Sequence, residues 1–310
     1  MNTIQNTISR HIFALFVLAL LAVTACTSDP GRITLRTEKM AVEEWRDQRL
    51  QNLLRDDGWL TVVGLHWLRG GQNTFGSDAR MDIVFPKDKT PKFAGLIYIE
   101  GKITAFEAAE GVNITHNGKA VQRMRLETDG GGDPTILQMG SLSFYVIERN
   151  GRRAIRLKDS ESTALKEFSG IEHFPISLKW RVQAYFTPSD SGNQMDIPTI
   201  LGTTTRSTTA GTLEFEMNGE KHHLIALGEP GEKDLFLIFG DETNGNETYH
   251  GGRFLTATVG DDGETAIIDF NMAYNPPCVF TDYATCPLPP QENRLALRIE
   301  AGEKVYGEHH

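Results

Sequence analysis

Apolar and polar residues alternate with a period of two through most of the chain, which predicts β-strands with one buried face. The alternating segments are residues 59–68, 73–86, 94–106, 111–121, 140–159, 180–188, 199–208, 210–228, 233–243, 252–263, 264–271 and 295–306. Asn-Gly pairs at 117–118, 150–151 and 218–219 favour two-residue hairpin turns between strands. The pattern therefore predicts a mainly β protein.

One segment before these strands has a helical period instead. In residues 39–54 the later apolar positions fall at helical spacing, and charged residues fill the other face. We expect one short amphipathic helix that ends at Asp57-Gly58 and packs on the first sheet. The whole pattern predicts two packed units of β-sandwich or barrel type, residues 39–160 including the helix and residues 161–310.

The first 25 residues have the features of a targeting segment. Arg10 precedes an apolar run at 13–23 that is short for a bilayer-spanning helix. The run ends in VTAC at 23–26, which resembles the lipobox of bacterial lipoprotein signal peptides. The resemblance implies cleavage before Cys26, lipidation of that cysteine and a polar tether over residues 26–38. The alternative is an ordinary secretory signal with an incidental cysteine.

The charge balance limits the partners. The chain has 31 basic and 41 acidic residues, a formal net charge of −10, and without residues 1–25 the balance is 30 against 41, or −11. An acidic chain without a basic run is poorly suited to nucleic acid or anionic headgroups. Membrane attachment is therefore expected from acyl chains on Cys26. Thr27 in place of Asp favours the outer membrane of the cell envelope, facing the periplasm.

Two cysteines follow the lipidation position. Cys278 and Cys286 are an even pair in an oxidising compartment, and we expect a local disulfide between them. The alternative, a nucleophilic cysteine, needs a nearby base that the spacing does not identify. Neighbouring His222 and His223 on a strand point to opposite faces, so no metal site is predicted there.

The first β unit resembles the forkhead-associated sandwich. The similar features are Gly71, Gly76-Ser77 and Asp82-Ile83, followed by an Asn-Gly turn. The resemblance implies a β-sandwich. Ser77 stands where the phosphothreonine-reading Arg of that fold would be, so phosphopeptide binding is not implied.

Residues 269–295 and their surroundings are similar to a bacterial family catalogued as domain of unknown function number sixteen-eighty-four. The motif is DFNMAYNPPC…CPLPPQENRL…AGEK, with TYHGGRF and NGRRAIRLKD upstream. The family supplies no reaction, substrate or cofactor to carry over. Its recurrent residues correspond here to Asp241, Thr243, Thr248, Tyr249, Gly252, Arg253, Asp269, Asn271, Tyr274, Asn275, Cys278, Cys286 and Asn293.

Two polar segments, residues 240–254 and 269–295, each follow an apolar strand, where sites are commonly built. Arg253 offers a planar fork of donors for a carboxylate or phosphate, or equally for a buried Asp of the chain itself. The candidate ligand-binding residues are Asp241, Thr243, Tyr249, Arg253, Asn271, Asn275 and Asn293. Asp269 and Glu292 could serve as acid and base, assisted by Tyr274.

Two functions remain open on these residues. The first is an envelope lipoprotein that binds a small anionic or polar ligand, or acts as a scaffold, through a polar pocket in its C-terminal unit. The second is a hydrolase of a small ester, peptide or sugar that uses a carboxylate base. The marked motifs of serine hydrolases, metalloproteases and nucleotide-binding proteins do not occur, and we predict no cofactor.

Overall fold

A computed structural model describes residues 33–190 and 193–307 of the chain. The predicted signal peptide, Cys26 and the tether up to residue 32 lie outside the described residues, so lipidation stays a prediction. Among the residues that are described, no helix combines the length and apolar character needed to cross a membrane.

The helices and strands account for most of the described chain. The helices are α1 Leu35–Leu53 and α2 Thr163–Glu167. The strands are β1 Val62–Trp67, β2 Gly71–Gly76, β3 Ile83–Val84, β4 Gly95–Glu100, β5 Ile103–Ala108, β6 Thr115–His116, β7 Lys119–Ala120, β8 Arg123–Arg125, β9 Leu137–Met139, β10 Leu142–Arg149, β11 Arg152–Asp159, β12 Arg181–Pro188, β13 Gln194–Pro198, β14 Thr204–Met217, β15 Glu220–Leu227, β16 Asp234–Phe239, β17 Arg253–Val259 and β18 Thr265–Asp269. Short 3₁₀ turns interrupt the proline-rich segment at Phe270–Met272, Pro277–Val279 and Gln291–Asn293.

Strands β1–β11 form the first unit from two sheets, ordered β1-β11-β10-β9-β6-β7 and β3-β2-β4-β5-β8. Its core is aromatic: the Phe144 ring lies 5.3 Å from that of Phe85 and 5.7 Å from that of Phe75. Two hairpins turn at Asn117 and Asn150, whose φ angles of 50° and 51° are in the left-handed region that Asn tolerates. The predicted Asn-Gly hairpins are present at both positions.

Strands β12–β18 form the second unit. Six of them close into a barrel in the order β12-β18-β17-β16-β15-β14, because β14 also pairs with β12, while β13 pairs with β14 outside the ring. Along β16, Leu235, Leu237 and Phe239 belong to the barrel core, and Phe236 and Ile238 belong to a smaller outer cluster. The predicted fold class, mainly β with two β units and one N-terminal helix, is confirmed.

Helix α1 begins at Leu35, earlier than the predicted start at residue 39. The cause is a capping box: Thr37 N donates to Thr34 Oγ1 at 3.2 Å, and Thr34 N donates to Thr37 Oγ1 at 3.0 Å. The helix therefore occupies part of the range predicted for the tether.

The helix packs on the second unit and not on the first sheet, contrary to expectation. The Trp45 ring lies 6.0 Å from the Tyr274 ring, and Arg49 Nε donates to Glu303 Oε1 at 3.1 Å. The inward face of α1 carries charged side chains, which require polar partners when they are buried. The second unit supplies those partners.

The strand predicted at residues 295–306 does not form. Leu295 and Ile299 are buried in the barrel core, as their alternation suggests. Their segment is held by isolated backbone hydrogen bonds, such as Leu295 N to Gly240 O at 2.8 Å, and by side chains. Ile299 N donates to Asp241 Oδ2 at 2.8 Å, and Arg253 Nη2 donates to Ile299 O at 2.9 Å. Hydrophobic alternation indicates that one face of a segment is buried. In residues 295–306 that face is buried without the segment pairing as a strand.

Candidate functional site

Arg253, the residue expected to hold a ligand, binds the chain itself. Its side chain and that of Asp241 are both fully buried, and Arg253 Nη2 lies 2.9 Å from Asp241 Oδ1. Arg253 also donates to the backbone carbonyls of Ile299 and Ala301. Burial lowers the pKa of Arg253, and the Asp241 carboxylate opposes that shift. The pair fixes residues 299–301 against the barrel.

The loop after β16 is closed by its own side chains. Thr243 Oγ1 donates to Asp241 Oδ2 at 2.8 Å and lies 2.8 Å from Thr248 Oγ1. Tyr249 is buried against the cluster around the disulfide, and burial raises the pKa of its hydroxyl. Asp241, Thr243 and Tyr249 therefore sit in the interior of the protein.

Asn271 and Asn275 each join two distant segments. Asn271 Nδ2 donates to Ser177 O at 3.0 Å, and Ser177 N donates back to Asn271 Oδ1 at 3.0 Å. Asn275 Nδ2 donates to Lys304 O at 2.7 Å. Both amides are completely buried, so they position backbone and face no open pocket.

Asn293 fills a gap in the barrel wall. Strands β15 and β16 share only one register pair, Leu227 with Phe236. Further along, Asn293 Oδ1 accepts from Ile225 N at 2.7 Å, and Asn293 Nδ2 donates to Ile225 O and Ile238 O, each at 2.9 Å. One side-chain amide thus replaces the missing hydrogen bonds between the two strands.

Asp269, the first catalytic candidate, lies under the first turn of α1. Its carboxylate neighbours the Glu38 carboxyl, and Arg181 lies 3.5 Å from Asp269 and 3.6 Å from Glu38. Burial and the neighbouring Asp269 raise the pKa of Glu38 to about 7. Glu38 and Asp269 are 3% and 5% exposed, so this acid pair is closed to a substrate.

The other two catalytic candidates have separate surroundings. Glu292 is exposed in the turn that carries Asn293. The Tyr274 ring lies between aromatic neighbours and under Arg49, whose guanidinium carbon is 4.8 Å from the ring centre. Asp269, Glu292 and Tyr274 of the hydrolase hypothesis therefore lie in three different surroundings: buried under α1, exposed in a turn, and packed among aromatic rings.

The predicted disulfide between Cys278 and Cys286 is confirmed. Their Cα atoms lie 6.1 Å apart across a sequence separation of 8. The bridge packs against Leu53 of α1, Leu60 and Phe280. It therefore holds the proline-rich segment where that segment meets the helix.

A cavity of about 520 Å³ lies outside the barrel where β15 and β16 separate. Several of its charged side chains already have partners: Arg149 Nη2 binds Asp129 Oδ2 at 2.8 Å, and Asp234 Oδ1 accepts from Thr258 Oγ1 at 3.0 Å. The cavity is open to solvent. Because these charged groups already have hydrogen-bond partners within the chain, they do not indicate a ligand.

A smaller cavity, about 200 Å³, lies between α1 and the segment after α2. Its wall includes Arg46 and Arg49 from the helix, His173 from the facing segment and Glu303 from the chain end. Sequence reasoning missed these residues. The sequence pattern indicates only a charged face on this helix, although a spacing of three places Arg46 and Arg49 on one side of it.

The two arginines of this cavity differ in their partners. Arg49 Nη2 donates to Asn275 O at 3.0 Å, and its Nε binds Glu303, whose Oε2 accepts from Asn275 N at 2.7 Å. Arg46 Nη2 donates to Phe174 O at 3.2 Å. Within the described ranges, Arg46 takes part in no ion pair. Glu303 and Glu43 act on the charge of Arg46 from a distance, but neither forms an ion pair with it.

Two nitrogen atoms of this cavity's lining are buried without a hydrogen-bond partner among the described residues, Arg46 Nε and His173 Nε2. Burial and the charge of Arg46 lower the pKa of His173 to about 4, so the ring is neutral at pH 7. Burial also lowers the pKa of Arg46. The cavity can therefore offer a guanidinium donor and an imidazole nitrogen to a small polar ligand. No cluster of three or more metal-ligating side chains occurs in the described residues.

Comparisons with known proteins give a family and several solved structures. The family model described as "Protein of unknown function (DUF1684)" matches residues 166–304. The solution structure of an uncharacterized protein from Haloarcula marismortui has 34% sequence identity, covers 46% of this chain and 80% of its own, and has a TM-score of 0.39.

The solved structures also include FHA domains. The FHA domain of FhaA, complexed with an intracellular domain of another protein, is 17% identical, covers 30% of this chain and 97% of its own, and has a TM-score of 0.22. A second FHA structure is 18% identical, covers 32% of this chain and 92% of its own, and has the same TM-score of 0.22. No curated protein matches the chain.

Proposed function

This chain belongs to the family described as protein of unknown function (DUF1684), and we propose that it is a lipid-anchored envelope protein that binds a small anion between α1 and the C-terminal barrel. One observation carries the proposal. Arg46 Nε and His173 Nε2 are both buried without a partner among the described residues, and both residues line one cavity. The proposed cation is thus Arg46, in place of the internally paired Arg253.

The energetics favour a ligand at this position. A buried donor or acceptor without a partner costs about 1–3 kcal/mol, and more when the group is charged. An anion that accepts from Arg46 recovers that energy and neutralises a guanidinium that lacks an ion pair. Arg49 contributes a second positive charge, although Glu303 already binds it.

The anchor is proposed from the sequence ahead of the described residues. The VTAC run at 23–26 follows an apolar segment, and a disulfide between Cys278 and Cys286 suits an oxidising compartment. A Cys26→Ser variant is expected to lose incorporation of radiolabelled palmitate and to leave the membrane fraction. Retention of both properties would remove the lipoprotein part of the proposal.

The anion site is tested by isothermal titration calorimetry of the purified protein with phosphate, sulfate and acetate. At least one of these ions should bind, and Arg46→Gln should weaken that binding by about tenfold or more, because a charge-assisted hydrogen bond is removed. Arg36→Gln is the matched control, since Arg36 is an exposed arginine of the same helix.

The controls separate a lost site from a lost fold. Arg46→Gln should keep the far-UV circular dichroism spectrum, because Arg46 has no ion pair to lose in the described part of the chain. If none of the three ions binds, or if Arg46→Gln and Arg36→Gln bind equally well, the anion-binding proposal fails.

A further inference from the structure

A cavity of about 310 Å³ lies on the first unit, on the face of its sheet that points away from the core. Phe144 and Leu157 belong to the core of that unit, whereas the residues next to them, Tyr145 and Lys158, line the cavity. This division follows the alternation of side chains along β10 and β11. The volume is at the lower end of the roughly 300–1,000 Å³ found for small-molecule pockets, so the cavity can hold more than a single inorganic ion.

Part of the lining consists of hydrogen-bonding groups that the chain itself does not use. The side chains of Gln138, Ser143 and Tyr145 line the cavity and make no hydrogen bond to any described residue. Hydroxyl groups and primary amides can both donate and accept. The cavity therefore offers both kinds of hydrogen bond to a ligand that carries several hydroxyl groups.

A buried guanidinium lies beside this lining. Arg156 is 4% exposed, and its Nε and Nη2 atoms are buried without a hydrogen-bond partner among the described residues. Its guanidinium carbon lies 5.0 Å from the centre of the Trp59 ring, and it forms no ion pair in the described part of the chain. In the sheet, Arg156 is directly opposite Tyr145 and two residues from Lys158 on the same face. A buried cation without an anionic partner is costly, so the position favours an anion nearby.

Lys158 supplies a second cation, in the cavity wall itself. Its amine donates to the carbonyl of Asp57 and lies 5.5 Å from the centre of the Tyr145 ring. Burial lowers the pKa of Lys158, and the charge of Arg156 acts in the same direction. The Asp57 carboxylate opposes this shift, but Arg55 binds both of its oxygens, at 2.8 and 3.0 Å. Within the described ranges, Lys158 therefore has no ion pair of its own.

The other carboxylates near the cavity do not neutralise these two cations. Beyond the Ser141 wall, Asp159 and Glu161 both bind Lys89, each at 2.8 Å. Asp56 lines the cavity and is exposed, and it forms no ion pair with a described residue. Its carboxylate can accept a hydrogen bond from a ligand hydroxyl. The cavity thus combines uncompensated positive charge in its wall with hydroxyl-binding groups around it.

We propose that this cavity binds an anionic monosaccharide. The acidic group of the sugar accepts hydrogen bonds from Lys158, and the positive charge of Arg156 behind the wall stabilises it. The sugar hydroxyls bind Gln138, Ser143 and Asp56. A uronic acid and a sugar phosphate share this chemistry, since each combines an oxyanion with several hydroxyls. The site is separate from the cavity at Arg46 and does not depend on anion binding there.

The test is calorimetric titration of the purified protein with glucuronate, glucose 6-phosphate, glucose and acetate at pH 7 and constant ionic strength. At least one of the two anionic sugars should bind about tenfold or more tightly than both glucose and acetate. The comparison between the two shows whether the carboxylate or the phosphate is preferred. Equal binding of glucose would overturn the role of the cations, and equal binding of acetate would overturn the role of the hydroxyls. If neither anionic sugar binds, the proposal fails.

Variants assign the binding to this cavity. Lys158→Gln should weaken binding of the preferred sugar by about tenfold or more, whereas Lys102→Gln, at an exposed lysine of the same unit, is the matched control. Ser143→Leu fills the cavity without removing a charge and should also abolish binding. Melting temperatures check that the variants fold. If Lys158→Gln and Ser143→Leu both bind as tightly as the wild type, or if only Arg46→Gln loses binding, the sugar lies elsewhere and the inference is wrong.

Discussion

Arg253 and Asp241 form an ion pair in which neither side chain has exposed surface, with Nη2 and Oδ1 2.9 Å apart. The same guanidinium binds the carbonyls of Ile299 and Ala301. The pair thus adds side-chain contacts to the isolated backbone hydrogen bonds that hold this last buried segment, which forms no strand. Arginine is suited to binding anionic ligands, but the side chain of Arg253 binds groups of its own chain.

Replacing Arg253 with Met should lower the free energy of unfolding by about 3–5 kcal/mol, because the Asp241 carboxylate would stay buried without its counter-ion. Urea unfolding followed by circular dichroism measures the change. Arg298→Ala is the control, since its ion pair with Glu247 is 44% and 39% exposed and should contribute less than about 1 kcal/mol. Similar losses in the two variants would contradict the role given to Arg253.

Asn293→Ala should lower the free energy of unfolding by about 2–4 kcal/mol, because three hydrogen bonds to Ile225 and Ile238 are lost inside the barrel wall. The neighbouring Glu292→Ala is the matched control, since Glu292 is exposed and an exposed substitution is usually within about 0.5 kcal/mol. Hydrogen exchange of the Ile225 amide gives a local readout. Unchanged protection in Asn293→Ala would show that the amide is not needed there.

The sequence was sufficient for the β content, the helix and the disulfide, because these depend on local signals. The alternation along β16 predicts that Leu237 and Ile238 face opposite sides of the sheet, and they do lie in the barrel core and in the outer cluster, respectively. The Asn117 and Asn150 turns follow from the left-handed conformation that Asn tolerates. The disulfide follows from the count of cysteines, because Cys278 and Cys286 are the only two besides Cys26.

The site could not be predicted because it depends on contacts between distant segments. Arg49 and Glu303 are 254 residues apart in the sequence and form an ion pair of 3.1 Å. A polar motif such as that around Arg253 looks the same whether its donors face a ligand or the chain's own carbonyls. Only the fold shows that Arg253 has an ion pair with Asp241, whereas Arg46 has none in the described part of the chain.

Replacing both Cys278 and Cys286 with Ser should lower the free energy of unfolding by roughly 2–3 kcal/mol, the amount expected for closing so short a loop. The bridge also packs against Leu53, so loosening it should reduce amide protection at the end of α1. Thiol labelling of the oxidised, denatured protein tests the bond directly. Two reactive thiols from this pair would mean that the bridge is not formed.

Glu38 should make stability depend on pH in the direction opposite to most carboxylates. Its pKa is raised to about 7 by burial and by Asp269, above the value of 4.5 expected when unfolded. The folded state therefore binds the proton more tightly than the unfolded state. The stabilisation is complete below about pH 4.5, decreases as the pH rises, and is lost above about pH 7.

Glu38→Gln tests this dependence, because Gln imitates the protonated carboxyl at every pH. Urea unfolding from pH 4.5 to 8.5 should show equal stability at the acidic end. At the alkaline end the free energy of unfolding of Glu38→Gln should exceed that of the wild type by roughly 3 kcal/mol. Glu44→Gln, at an exposed position of the same helix, is the matched control. If the Glu38→Gln and wild-type curves stay parallel across this range, the buried Glu38 carboxyl does not make stability depend on pH, and the prediction is wrong.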